Sequence, residues 1–420
     1  MARFRWSTAL TLTLGLLAAA GTTSTATVPQ PKFFRWDPLV VRKTETKPVR
    51  FEFAVDGDPT RVVFELNANA ATAGQPGVDY AMHDDGTAGD LVAGDGIYTI
   101  SFPAQTLVSG LSADDVFRHF VGYVKLFQGA TQVLKGNMFV SVLTDEIPRV
   151  DAAQLAADVQ TTSYIVNVLD PVFWESHDPY RATRRFYEFF GDDFDMVNIV
   201  SLPSRFLNRS GGPIKRDVQG IGARFSDNTA WAGSAGRLIH LSSFPLGADF
   251  DGADFAFSHE IGHQWINNLP EPTLQKGSPH WPIGSTATGI MGYGTSQGLE
   301  FPCVMTEERN GIRLRPRPTL PAFTDLDLYV MGFIPPEQVA PQLIFADQSE
   351  AASIFCTGQL YTGPMTRVSI DEVIAAAGER IPRAGDAPTH FKVATIASLR
   401  IDCSMPMRSR SSTTSRSGWS

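Results

Sequence analysis

The sequence has no excess of basic charge. Its 35 Lys and Arg stand against 44 Asp and Glu, a formal net charge of −9 over 420 residues. That balance offers no electrostatic footprint for nucleic acid. Beyond the N-terminus no run of about 20 apolar residues occurs, so no spanning helix is expected. No internal repeat stands out, which argues against a solenoid or array. Cysteine is scarce: only Cys303, Cys356 and Cys403 are present. Cys303 and Cys356 could pair in an oxidising compartment, but spacing alone leaves the connectivity open.

What is present suffices for sizeable cores. Hydrophobic residues make up 43% and charged residues 19%, and the length suggests two or three domains. Residues 1–20 read as an export signal. Arg3 and Arg5 give a positive start, Leu10 to Ala20 a short apolar stretch, and Ala18 and Ala20 the small residues a signal peptidase needs. Cleavage after Ala20 is expected, with Ala26 a second candidate. The protein is therefore expected to be secreted, with no transmembrane segment once the signal is removed. Retention as a membrane anchor is the alternative.

Residues 31–145 read as all-β. Val49 to Ala54 and Arg61 to Leu66 are rich in β-formers and are separated by the turn Asp56-Gly57-Asp58-Pro59. Ile97 to Phe102, Phe117 to Phe127 and Phe139 to Leu143 are further strand candidates. Short strands between turn signals predict a β-sandwich. Within it, the stretch from Asp84 to Asp95 combines aspartates with glycines. It resembles a loop that recurs in immunoglobulin-like modules of secreted bacterial proteins. Side-chain turns explain the aspartates; a Ca2+ site is the alternative reading.

Residues 147–400 read as an α+β unit. Val150 to Asn167 is predicted helical, as is Arg181 to Phe190, ended by Gly191. Met196 to Leu202 reads as a buried strand, Asn208 to Gly220 as a loop, and Arg237 to Leu241 as a strand. Asp325 to Gly332 reads as a strand or short helix. Residues 405–420, dominated by Ser, Thr and Arg, read as a disordered tail.

The chemistry concentrates at Ser258-His259-Glu260-Ile261-Gly262-His263-Gln264-Trp265. An aspartate at 251 or 254 can cap a helix that Pro270 ends, giving about four turns. His259 and His263, four residues apart, then project from one face and can hold one zinc ion through bonds of about 2.0–2.1 Å. Glu260 can reach a metal-bound water as general base without ligating the metal. Phe255, Phe257, Ile261 and Trp265 mark a buried type of helix, on which unpaired polar groups are costly unless something binds them. Gly262 disfavours the helix and marks close approach by another backbone.

The HEIGH segment resembles the active-site helix of the zincin metallopeptidases. The resemblance covers about 100 to 150 residues around the motif. It implies a sheet beside the helix whose edge strand holds a peptide, and Arg237 to Leu241 is placed to be that strand. The metzincin continuation HExxHxxGxxH is absent, since Ile266 and Leu269 occupy its glycine and third histidine positions. The next histidine is His280. After it, Thr288 to Gly294 resembles the methionine turn beneath the metzincin metal, with Met291 and the nearby Tyr293 as candidate oxyanion stabiliser. His280 is the expected third ligand, because histidine suits zinc. Glu300, Glu307 and Glu308 are the carboxylate alternatives. With no cysteine before Cys303, latency through an N-terminal thiolate has no residue to run on. His240, in an apolar strand, reads as a core histidine, and His390 has no matching partner.

The expectation is a secreted zinc endopeptidase acting on a protein or peptide substrate, built as an immunoglobulin-like sandwich followed by a zincin-like domain. A surface binding or adhesion protein with a structural or degenerate zinc site is the alternative. The intact Glu260 weighs against it, because a structural site has no use for a general base.

Overall fold

The computed structural model describes residues 29–38, 41–67, 77–108, 117–143, 151–170, 178–202, 209–245, 256–266, 268–270, 274, 280–292, 303–316, 322–354 and 356–399. The expected signal peptide and the C-terminal tail lie outside these residues. Strand dominates over helix, and no helix among the described residues is long and apolar enough to cross a membrane.

Eight strands form the first unit: β1 (Gln30–Asp37), β2 (Val41–Arg42), β3 (Val49–Asp56), β4 (Arg61–Asn67), β5 (Val78–Ala81), β6 (Ile97–Phe102), β7 (Phe117–Gln128) and β8 (Thr131–Leu143). One sheet has the order β1-β3-β6 and the other β2-β8-β7-β4-β5, antiparallel throughout except for the β2–β8 pair. The period-two pattern explains their stacking. Val49, Phe51, Phe53 and Val55 of β3 and Val62, Phe64 and Leu66 of β4 all enter one shared core. Phe51 and Phe64 stack across it with ring centroids 4.7 Å apart. Each fully buried phenylalanine contributes about 1.5–3 kcal/mol relative to exposure. The intervening carboxylates are answered by cations: Glu65 by Lys125 at 2.7 Å, and Glu52 by Arg50 at 3.2 Å and by Arg35.

The second unit is organised by a seven-stranded sheet. Its strands are β9 (Ala153–Ala156), β10 (Val159–Thr161), β11 (Ile165–Leu169), β12 (Met196–Leu202), β13 (Ser210–Pro213), β16 (His240–Pro245) and β22 (Val393–Leu399). The small pair β14 (Lys215–Arg216) and β15 (Ser226–Asp227) intervenes in sequence. The sheet order is β13-β16-β12-β22-β11-β10-β9. Its four central strands are parallel and the outer ones antiparallel. Helix Pro179–Tyr187, capped by the Asp178 carboxylate on the Tyr180 amide at 3.0 Å, belongs to the same core through Ala182 and Phe186.

Several sequence expectations are corrected here. The predicted helix from Val150 to Asn167 is instead the strand series β9, β10 and β11. The alanine-rich start favours helix, but Val159, Val166 and Val168 are buried in the sheet core, and tertiary pairing overrides local propensity. The loop expected from Asn208 to Gly220 contains β13, and β13 is the sheet edge. The strand expected at Arg237 to Leu241 begins at His240 and lies second from that edge. Among the described residues the HEIGH helix covers Ala256–Gly262 and ends there, short of Pro270. His263, Gln264 and Trp265 follow in a tighter turn whose amides bond back to Glu260, Ile261 and Gly262. The aspartates proposed to cap it lie outside the described residues.

Beyond the sheet, β17 (Cys303–Glu308), β18 (Gly311–Pro316) and β20 (Leu360–Tyr361) form one small sheet, and β19 (Gln342–Phe345) pairs with β21 (Met365–Val368). Cys303 and Cys356 are disulfide-bonded, with Cα atoms 5.4 Å apart. Asp325–Met331 is a helix, with Thr324 and Asp327 forming a capping box and Gly332 ending it in a left-handed conformation.

Candidate metal centre

His259 and Glu260 lie in the last turn of the helix and His263 just after it, beside β13 and β16. The approach of β13 is close: a β-carbon on Gly211 would stand 2.8 Å from Glu260 Cβ and 2.7 Å from its carbonyl oxygen. On the other side Gly262 admits Met291, whose side chain fills the space a β-carbon would take. The close neighbour at Gly262 is thus a thioether, where another backbone had been expected.

His280 comes to the same place from a different segment. One ring nitrogen from each of His259, His263 and His280 lies within 4.8 Å of the others. The His259 and His280 Nε2 atoms are 2.9 Å apart. Two ring nitrogens at that distance need a proton on one of them or a cation shared by both. Ligands of one tetrahedral zinc would stand about 3.3 Å apart, given bonds of about 2.0–2.1 Å. The His259 Nδ1–H donates to the Ile290 carbonyl at 2.7 Å, which turns the Nε2 lone pair toward the other two rings.

Burial pushes all three imidazoles toward the neutral, metal-binding form. His259 falls to about 3 and His263 to about 4, chiefly through desolvation and then through neighbouring cationic groups. His280 is lowered for the same reason, helped by Arg209. Three neutral imidazoles in close array suit a borderline cation such as Zn2+, so the donor set fits the expected metal.

Two further contacts fix the surroundings. Arg209, immediately before β13, places its Nε 3.0 Å from Glu260 Oε1. Glu260 is almost fully buried and Arg209 partly so. Sequence reasoning missed Arg209, because the pair spans 51 residues and no spacing rule connects its members. The Trp281 indole N–H donates at 2.7 Å to Asp327, which is wholly buried. That bond ties the His280 segment to helix Asp325–Met331. Burial raises the Asp327 carboxyl to about 6 despite the donors around it.

The other candidates separate from the centre. Glu307 and Glu308 lie on β17 and pair with Arg367 and Arg313; neither joins the histidine group. Tyr293 and Glu300 lie outside the described residues. Ile266 and Leu269, at the positions of the absent metzincin pattern, are core residues. His240 is fully buried and lowered to about 3 by desolvation, against a weak opposing pull from Gln264. It is buried like a core histidine, but neither ring nitrogen makes a hydrogen bond of ordinary geometry.

Between β5 and β6, one carboxylate oxygen from each of Asp84, Asp90 and Asp95 lies within 4.8 Å of the others. Their carboxylates accept loop amides: Asp84 from Asp95 and Gly96, Asp90 from Gly86 and Val92, and Asp95 from Ile97. These bonds are those of side-chain turns, and the same three carboxylates form a group that could hold a metal ion. Searches with protein-family models, among curated proteins and among solved structures find no significant match to this chain.

Proposed function

We propose that this protein is an exported zinc-dependent endopeptidase, with His259, His263 and His280 as metal ligands and Glu260 as general base. The observation that carries the reading is the convergence of three neutral imidazoles from two segments beside a buried glutamate. Zinc, when bound there, supplies Lewis acidity and a water acidic enough to ionise near neutral pH. Glu260 takes the proton of the attacking water and returns it to the leaving amine. The edge strand β13 lies against the helix and offers main-chain groups to an extended peptide. Tyr293 is assigned to the developing oxyanion on sequence grounds. The same proposal takes the sandwich as immunoglobulin-like and the second unit as zincin-like. The Cys303–Cys356 disulfide supports an oxidising compartment.

One observation favours the alternative, a binding or adhesion protein with a structural zinc. Glu260 is engaged by Arg209, and an ion-paired carboxylate is a weaker base. The two readings part on Glu260→Ala. With zinc supplied, wild type is expected to cleave members of an unfolded-peptide library, read by mass spectrometry. The variant should keep its zinc and lose at least about a hundredfold in rate. Indistinguishable behaviour of the two zinc-loaded proteins would transfer the assignment to the binding reading.

A further inference from the structure

A second arginine near the centre has a different status from Arg209. Arg216 lies on β14, opposite Ser226 of β15. Its Nε is buried and makes no hydrogen bond. The charged groups close in sequence are already occupied or turned elsewhere: Lys215 pairs with Asp217 at 3.3 Å, and Asp227 accepts from Thr229. Among the described residues no carboxylate answers the Arg216 guanidinium. Desolvation alone lowers its pKa, with no opposing ion pair.

Its position relative to the centre is fixed by the backbone. The Gln264 side-chain amide donates to the Lys215 carbonyl at 2.7 Å, joining the residue after His263 to the residue before Arg216. The Ile214 and Lys215 amides both bond to the Ile239 carbonyl, at 2.8 and 3.2 Å, which holds β14 beside the start of β16. The Arg216 charge is felt at His263 and at His240. A half-desolvated cation without a counter-ion is costly to maintain. It is the usual form of a site that an anion completes, and guanidinium geometry matches a carboxylate in two parallel hydrogen bonds.

We infer that Arg216 forms a carboxylate-recognising subsite on the His263 side of the metal centre, selecting peptides that present either an acidic side chain or a free C-terminal carboxylate there. The inference rests on the peptidase reading for the class of ligand. Arg209 is held by Glu260, whereas Arg216 has no carboxylate partner among the described residues.

The test uses the zinc-loaded full chain and fluorescein-labelled pentapeptides that differ only by Glu or Gln at each position in turn, with free or amidated C-termini. Binding is read by anisotropy in the cold, with mass spectrometry confirming intact peptide. At one position or at the terminus, the carboxylate form should bind about tenfold or more tightly than its neutral counterpart. The Glu/Gln arm and the amidation arm tell the two carboxylate sources apart. Arg216→Gln should erase the difference and Arg216→Lys should retain part of it, each variant first shown to keep the wild-type thermal transition. Equal binding of charged and neutral peptides, no binding of either, or a preference undiminished in both variants would overturn the subsite. A preference in binding without any cleavage on warming would keep the subsite and remove the peptidase reading.

Discussion

Met291 occupies the space that a side chain at position 262 would need. A β-carbon on Gly262 would overlap the Met291 sulfur and stand 3.1 and 3.2 Å from its Cε and Cγ. The glycine within HEIGH and the methionine after His280 are therefore two halves of one contact. Gly262→Ala should destabilise the protein by about 1–3 kcal/mol through overpacking. Met291→Ala made in the same chain should recover part of that loss. A urea double-mutant cycle measures the coupling, and additive effects would show that the two residues do not share the space.

The third ligand can be tested without turnover. His280→Ala should lower zinc affinity by more than about a hundredfold, as should His259→Ala, since even outer partners of a ligand are worth about 10–100-fold. Chelator competition reads the effect. Glu307→Gln and Glu308→Gln should leave affinity unchanged, because both side chains pair with arginines on the β17 side of the molecule.

Asp327 acts at one remove. It holds the Trp281 indole and so the segment that carries His280. Trp281→Phe keeps an aromatic ring but removes the N–H and part of the buried volume, leaving a buried carboxylate short of one donor. Zinc affinity should fall by about 10–100-fold while secondary structure, read by far-ultraviolet circular dichroism, stays as in wild type.

The Arg209–Glu260 pair predicts a stability asymmetry. Arg209→Gln leaves a nearly buried carboxylate without its cation and should cost about 1–3 kcal/mol, less than a fully buried pair because Arg209 reaches solvent. Adding Glu260→Gln should restore most of it. Equal stabilities for Arg209→Gln and wild type by urea denaturation would show that the pair carries no energy.

His240 contributes a pH dependence with a definite sign. Its folded-state pKa is depressed to about 3, below the unfolded value of about 6.5. Below pH 6.5 the unfolded chain takes up a proton that the native state refuses, so stability falls as pH drops from about 6.5 toward 3. His240→Gln should lessen this acid loss without abolishing it, because His259, His263 and His280 titrate in the same sense. Urea midpoints at pH 7 and pH 5 give the comparison.

What the sequence revealed depended on how local the cause was. Strands β3, β4, β6 and β12 were legible because alternating or β-branched residues state their burial directly. His259, Glu260 and His263 were legible because one helical turn sets their spacing. His280 was inferred from ligand chemistry, and no spacing pattern encodes its approach to the other two histidines. Strand β13 was read as a loop because Ser210-Gly211-Gly212-Pro213 has no side-chain pattern; its pairing with β16 and its fit against Glu260 make it a strand. The segment Val150 to Asn167 was misread because helix-favouring alanines there yield to a sheet built partly from β22, more than 200 residues away. Arg209 and Arg216 gave no signal, since an arginine in sequence does not announce which charge it faces.

The bond between Cys303 and Cys356 turns the 53-residue separation between them into a closed ring. Helix Asp325–Met331 lies inside that ring, and with it Asp327. One hydrolytic cut anywhere between the two cysteines would open the ring yet release neither piece. A protein living among proteases would thus keep both halves of its His280 support tethered after a first nick, and reclosure of the contact would remain intramolecular.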